Sequence, residues 1–167
     1  MTIRRTSLAI ALIAGAALLG ACNKAAAPEA EPTVLDNGLT AKEQIEARQG
    51  QLKKMGKAFK TMNDQMKSGA PDVAALQTAA ASLKLESGGM EDWFPAGTGP
   101  DSGVKTDALP LIWEDRADFE EKLANFRAAS DNLAEVALGG DVTAIGEAMG
   151  KTGMACKSCH DRYREDD

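Results

Sequence analysis

Near its C-terminus the sequence has two cysteines three positions apart, and a histidine follows the second one directly. They are Cys156, Cys159 and His160, and His160 is the only histidine in the chain. This spacing is typical of c-type haem attachment, in which each thiol forms a thioether with a haem vinyl group and the imidazole ligates the iron. In a helix all three positions share one face, so they can meet one porphyrin edge. The pattern therefore predicts one covalently attached haem c.

Two other uses of a cysteine pair fit the sequence less well. A structural zinc site needs about four ligands of the cysteine, histidine or carboxylate type, and the chain has no second cysteine pair. A thioredoxin-like redox pair lies at a helix N-terminus beside a strand, whereas this pair lies near the end of a helical segment. The remaining alternative is that so short a motif occurs by chance.

Residues 1–21 have the features of an export signal. Arg4 and Arg5 form a basic start, and residues 8–19 form an apolar stretch too short to span a bilayer as a mature helix. The sequence Leu-Gly-Ala before Cys22 is similar to a bacterial lipobox, in which cleavage precedes a cysteine that carries lipid. We therefore predict a periplasmic protein held to a membrane by a lipid anchor at Cys22. The alternative is an ordinary secretory signal in which Cys22 is incidental.

The mature chain is predicted to be a tether followed by one domain. Residues 22–38 are dominated by Ala, Pro and Glu and lack an apolar period, which favours a tether. Residues 39–167 are long enough for a four-helix haem domain with its own core. The full chain carries a net charge of −6, and loss of the signal makes it about −8. Such a charge argues against nucleic acid as a partner.

Helical spacing of apolar residues recurs in four segments, and no segment resembles a strand. Thr40 and Glu43 form a capping box for the first helix, and Asp141 is the predicted N-cap of the fourth. The long connection over residues 90–109 contains aromatic residues and is predicted to be an ordered crossover. The fold class is therefore all-α, an antiparallel four-helix bundle with the haem near the C-terminus. The predicted helices run from Thr40 to Gly69, from Pro71 to Glu86, from Pro110 to Gly139, and from Asp141 past His160.

The haem cysteines fall on the apolar spacing of the fourth helix. Ile145, Met149 and Thr152 are separated by four and then three residues, and Cys156 and Cys159 continue this alternating spacing. The haem is therefore predicted to enter the bundle. There is no second histidine, and a methionine ligand at the sixth position would make the iron low-spin and six-coordinate. Core packing is nevertheless the better explanation for each methionine taken singly. The candidates are Met55, Met62, Met66, Met90, Met149 and Met154.

Three further stretches accompany the haem motif at the C-terminal end of a four-helix pattern. They are residues 48–56 (RQGQLKKMG), residues 93–99 (WFPAGTG), and residues 111–115 (LIWED) followed by Phe119. Together with CKSCHDRYR they resemble cytochrome c prime, also written cytochrome c', of the class II cytochromes c. The resemblance covers roughly residues 40–164. Many members of that family are freely soluble in the periplasm, so the predicted lipobox and tether depart from the pattern.

The resemblance implies a role for Leu52. In the family, the residue four positions after the first-helix arginine faces the distal side of the iron. A methionine there is typical of low-spin electron-transfer members, and a bulky apolar residue is typical of high-spin cytochromes c'. Leu52 therefore implies five-coordinate iron with His160 as its only strong axial ligand. An apolar pocket behind Leu52 would disfavour water and dioxygen, while NO and CO could bind by displacing the leucine.

The resemblance also suggests roles for two arginines and a dimer. Arg48 is expected to reach a haem propionate, the alternative being a solvated arginine on the helix surface. Arg164 is expected to border the proximal pocket beside His160, the alternative being a favourable interaction with the helix dipole. The first two helices offer apolar surface for a homodimer, but the same residues could be entirely internal.

These observations predict a haem protein that binds NO or CO and is capable of one-electron transfer with a partner protein. A substrate-turnover enzyme is not expected, because the sequence arranges no acid–base pair near the haem. One alternative is a low-spin electron carrier with Met55 on the iron. A peroxidase-like enzyme is disfavoured by the lack of a distal histidine.

Overall fold

The structure, a computed structural model, describes residues 34–166. The predicted export signal, Cys22 and most of the tether lie outside these residues. The described chain is helical and forms no β-strand. None of its helices is both long and apolar enough to cross a membrane. The helices are α1 (Ala41–Lys67), α2 (Val73–Glu86), α3 (Leu111–Glu114), α4 (Arg116–Leu138) and α5 (Val142–Tyr163), with short 3-10 turns at Met90–Asp92 and Pro100–Ser102.

The helix starts follow from local capping chemistry. The Thr40 hydroxyl accepts a hydrogen bond from the Glu43 backbone N–H, and the Glu43 carboxylate accepts one from the Thr40 N–H. The Asp141 carboxylate caps α5 in the same manner by accepting from two backbone N–H groups. Both predicted caps are confirmed. Helix α2 begins two residues later than predicted because Asp72, rather than Pro71, supplies its capping carboxylate.

The predicted third helix is interrupted at Asp115. The short helix α3 ends there, the backbone leaves helical geometry (φ −118°, ψ 59°), and α4 starts at Arg116. The interruption lets α3 dock on the connection, since Trp113 Nε1 donates to the backbone carbonyls of Phe94 and Pro95 at 3.2 and 3.0 Å. The local apolar pattern was compatible with one helix, so the break is imposed by tertiary contacts.

The four long helices form the predicted antiparallel bundle. Helices α1 and α2, α2 and α4, and α4 and α5 pack directly against each other. Phe119 lies at the centre of one end, in edge-to-face contact with Phe94 and Tyr163 at centroid distances of 5.0 Å. At this end α1 and α5 both line a cavity. The connection between α2 and α3 is ordered as predicted, and it also lines the cavity.

Candidate haem site

The cavity has a volume of about 840 Å³, within the range of small-molecule and cofactor pockets. Most of its wall is apolar, and aromatic rings from four parts of the chain contribute to it. Such a wall suits a flat apolar macrocycle, whose burial supplies hydrophobic stabilisation. The apolar lining residues include Leu52, Met55, Phe59, Leu83, Met90, Phe94, Ile112, Phe119, Leu123 and Phe126.

Cys156, Cys159 and His160 all line this cavity from the last turns of α5. Both cysteines are free and half-buried. Burial raises the pKa of Cys156 and raises the pKa of Cys159 to about 11, so both are neutral thiols near pH 7. The pKa of His160 is lowered by burial and by the nearby Arg164 charge, which favours the neutral imidazole that ligates iron. The donor set and the cavity therefore fit a haem attached through two thioethers.

The zinc alternative finds no support in the described chain. Within residues 34–166 no group of three or more histidine, cysteine, aspartate or glutamate side chains is placed to hold a metal ion. The cysteine pair lies near the C-terminal end of α5, unlike a thioredoxin-like pair, which lies at a helix N-terminus.

Leu52 lines the cavity from α1, and His160 lines it from α5. Leu52 is half-buried and packs against the core cluster. Of the six methionine candidates, only Met55 and Met90 line the cavity. Met62 and Met149 are buried elsewhere in the core, whereas Met154 is 66% exposed. Met66 packs close to Gly146 on α5. The structure thus narrows the methionine-ligand alternative to two residues.

Arg48 is buried, with 2% of its surface exposed. Its guanidinium donates hydrogen bonds to the Thr98 hydroxyl and carbonyl at 2.9 and 2.8 Å and to the Thr106 hydroxyl at 2.8 Å. It also lies 4.8 Å from the Phe94 ring centroid. Burial lowers its pKa to about 10, so it stays cationic at neutral pH. The alternative of a solvated arginine is wrong: Arg48 holds the connection onto α1. A propionate contact remains a prediction, consistent with its place in the cavity lining.

Arg48→Lys is expected to lower the free energy of unfolding of the holoprotein by about 3 kcal/mol. The guanidinium donates three charge-assisted hydrogen bonds in one plane, and a lysine ammonium cannot make the same set. Urea unfolding followed by circular dichroism measures the change. The matched control is Arg127→Lys, since Arg127 forms an exposed pair with Glu91 and its replacement should cost no more than about 0.5 kcal/mol. Equal stability of the two variants would contradict the anchoring role.

Arg164 directly follows α5 and lies beside His160. Its backbone N–H donates to the His160 carbonyl at 3.1 Å, and its Nε is 3.9 Å from an Asp107 carboxylate oxygen. Its side chain lines the cavity, and its charge contributes to the lowered pKa of His160. This position is consistent with the predicted border of the proximal pocket.

The structure adds residues in the cavity lining or bound to it for which the sequence analysis assigned no role. Thr98 and Thr106 bind Arg48 from 50 and 58 residues away, a pairing for which the sequence has no local signal. Lys122 also lines the cavity. Its position could have been found from helical spacing, because it lies three residues after Phe119 and four before Phe126. Lys105 lies in the irregular connection, where no periodicity could have placed it.

Comparisons with known proteins agree with this geometry. A family model described as Cytochrome C' matches residues 43–164. Cytochrome c' from Allochromatium vinosum is 34% identical over 132 residues, which are 76% of this chain and 83% of that protein. A crystal structure of a cytochrome c' with ligand-controlled dimer dissociation has a TM-score of 0.72 and 32% identity, and covers 77% of this chain and 99% of its own.

A third comparison bears on ligand binding. The nitric oxide complex of a mutant of cytochrome c' from Alcaligenes xylosoxidans has a TM-score of 0.68 and 31% identity. The match covers 76% of this chain and 97% of that one. The family match takes in most of α1 and all of α2, α3, α4 and α5, including the cavity-lining cysteines and histidine. The chain therefore belongs to the cytochrome c' family and carries covalent haem c.

Proposed function

We propose that this protein binds NO and CO on a five-coordinate, high-spin haem iron, and that it can also transfer one electron. The observation that carries the proposal is Leu52, an apolar side chain of α1 that lines the same cavity as His160 of α5. His160 is the only histidine in the sequence, so no second imidazole can fill the sixth position. The nitric oxide complex of the Alcaligenes xylosoxidans relative supports the ligand class.

The haem supplies a redox-active iron and a position for a diatomic ligand, and the chain sets what can reach it. Cys156 and Cys159 would hold the group covalently, and His160 would supply a nitrogen ligand to its iron. Leu52, with neighbouring apolar side chains, disfavours water on the distal side and donates no hydrogen bond to bound dioxygen. Arg48 fixes the connection that closes the cavity wall. No residue in this arrangement is proposed to perform acid–base catalysis, so a turnover enzyme is not proposed.

Met55 makes a low-spin electron carrier the second candidate, because it is buried and lines the cavity three residues after Leu52. Electron paramagnetic resonance of the ferric protein separates the two functions. If the wild-type iron is high-spin and the spectrum of Met55→Leu is the same, the result supports gas binding on five-coordinate iron. Low-spin iron in wild type that becomes high-spin in Met55→Leu would instead establish the electron carrier. Met62→Leu is the matched control, since Met62 is buried outside the cavity.

We further propose that the protein is periplasmic, is anchored by lipid at Cys22 and forms a homodimer. The lipobox-like sequence before Cys22 supports the anchor, and the dimer-forming relative supports the dimer. Sedimentation of the purified holoprotein tests the dimer.

Cys22→Ser is expected to move the protein from the membrane fraction to the soluble periplasmic fraction, because serine cannot form the thioether to lipid. Immunoblotting of fractionated cells measures the shift. Retention of Cys22→Ser in the membrane fraction would contradict lipidation at this residue. Wild-type protein should stay in the membrane fraction through washes at high salt, which excludes a purely electrostatic attachment.

A further inference from the structure

The cavity lining has an unusual charge for this protein. Among the described residues it contains five cationic side chains but only one carboxylate, that of Asp107, which gives these residues a net charge of +4 in a chain whose total is −6. The cations are Arg48, Lys53, Lys105, Lys122 and Arg164. The two propionates of a haem do not neutralise four positive charges. Positive charge is therefore concentrated around the cavity that fits the haem.

Three of these five cations already have partners. Arg48 donates to Thr98 and Thr106 inside the protein. Lys122 Nζ lies 3.8 Å from an Asp118 carboxylate oxygen, and Arg164 is paired with Asp107. Lys53 and Lys105 differ, because neither ammonium has an acceptor among residues 34–166. Both side chains line the cavity and both residues are exposed, so they mark a place where the cavity opens to solvent.

Lys53 and Lys105 belong to one surface although they are far apart in sequence. Gln49 Nε2 donates to the Lys105 carbonyl at 3.2 Å, which holds Lys105 against α1. Lys53 follows Gln49 by one helical turn, and the exposed Lys57 follows by another. Lys57 also has no acceptor in the described chain. We call Lys53, Lys57 and Lys105 the basic rim.

The lysines beside the basic rim are neutralised in pairs. Lys54 lies 3.3 Å from a Glu86 oxygen, and Lys60 lies 2.6 Å from an Asp64 oxygen. On the part of α1 beside the cavity, the uncompensated lysine charge thus lies on Lys53 and Lys57. Such a local patch attracts an anionic surface and orients it, even when the net charges of the two molecules repel each other at long range.

We propose that the basic rim is the docking surface for an acidic electron-transfer protein, which it places at the opening of the haem cavity. The proposal rests on the redox-active haem of the proposed function. An anionic membrane surface is the other occupant of similar charge, and the net charge of −6 repels it just as it repels an acidic protein. The location of the rim at the cavity opening favours a redox partner.

The kinetic test uses small one-electron oxidants of opposite charge. Reduced holoprotein is mixed with the trianion hexacyanoferrate(III) or the trication tris(phenanthroline)cobalt(III), each of which takes one electron as the ferrous haem becomes ferric. If the rim controls docking, the reaction with the trianion slows as ionic strength rises, although protein and reagent have the same sign of net charge. If net charge controls docking, that reaction accelerates with salt, which overturns the proposal.

Two matched double variants locate the effect. Lys53→Glu/Lys105→Glu should slow the reaction with hexacyanoferrate(III) about tenfold at low ionic strength. Lys67→Glu/Lys151→Glu changes the net charge by the same amount at exposed residues outside the cavity lining. This control should slow the reaction with hexacyanoferrate(III) less than about twofold. Lys67 is about 21 Å from Lys53 along α1. Equal slowing of both variants would overturn the proposal.

A second readout does not depend on electron transfer. Lysine acylation is measured by mass spectrometry with and without polyglutamate as an acidic probe. Protection of Lys53, Lys57 and Lys105, but not of Lys67 and Lys151, is the expected result. Uniform protection would overturn the proposal, as would binding of non-lipidated holoprotein to anionic phospholipid vesicles through the same lysines.

Failure of both oxidants to react, with NO and CO still binding, would overturn this proposal and the electron-transfer part of the function while leaving gas binding intact.

Discussion

Cys156→Ala/Cys159→Ala is expected to abolish covalent haem attachment completely. Both thiols line the cavity from consecutive turns of α5, and no other cysteine is present in the described chain. Without them His160 is the only proposed attachment point, and an axial ligand alone does not survive denaturation. The variant should therefore lose its haem-stained band on a denaturing gel, and its intact mass should equal that of the polypeptide. The double variant is also expected to accumulate poorly, since the walls of an 840 Å³ cavity would lose their apolar filling.

Ser158→Ala is the matched control for the cysteine variants. Ser158 lies between the two cysteines but is exposed, and its hydroxyl donates to the Ala155 carbonyl. Its replacement should leave the haem stain and the added mass unchanged. A haem-stained band from the double-cysteine variant would contradict attachment at this motif.

Leu52→Ala is expected to accelerate CO binding to the reduced holoprotein by about 10- to 100-fold. Moving a leucine out of an apolar site costs about 1.5–3 kcal/mol of burial, and each 1.4 kcal/mol removed from a barrier is about tenfold in rate. The shorter side chain also leaves room for water, so a fraction of six-coordinate, water-bound ferric protein is expected. Stopped-flow absorption measures the rate, and the ferric spectrum reports the water.

Leu76→Ala is the control for Leu52→Ala. Leu76 is fully buried but does not line the cavity, so its replacement should destabilise the protein by about 2–5 kcal/mol without changing the rate of CO binding. An unchanged rate in Leu52→Ala would show that this residue is not the gate. Equal acceleration in both variants would point to a general loosening of the bundle.

Features that depend on nearby residues were predictable from the sequence. The caps at Thr40 and Asp141 act within three residues, so the starts of α1 and α5 agree with the structure. The haem motif lies on one helix, and helical spacing alone places Cys156 and Cys159 on the inner face. The bundle itself follows from four apolar periodicities separated by turn residues.

Features that depend on distant contacts were not predictable. The break at Asp115 accompanies hydrogen bonds from Trp113 to carbonyls of the connection, and a helical pattern has no signal for it. The Arg48 guanidinium donates hydrogen bonds to Thr98 and Thr106, which lie on an irregular segment far away in the sequence. The sequence therefore did not reveal that Arg48 holds this segment onto α1. The basic rim arises because Gln49 brings Lys105 to α1. In each case the deciding interaction joins residues whose proximity only the tertiary fold creates.

The central proposal for this protein is that the iron bound through His160 keeps its opposite position open behind Leu52. The visible absorption spectrum of purified holoprotein, recorded in both oxidation states with and without CO, tests it most directly. We predict high-spin spectra in the ferric and ferrous states and a complete change to a low-spin, CO-bound spectrum on addition of the gas to the reduced protein. A six-coordinate, low-spin ferric spectrum with a sulfur-to-iron band, together with a reduced spectrum that CO does not alter, would contradict the claim.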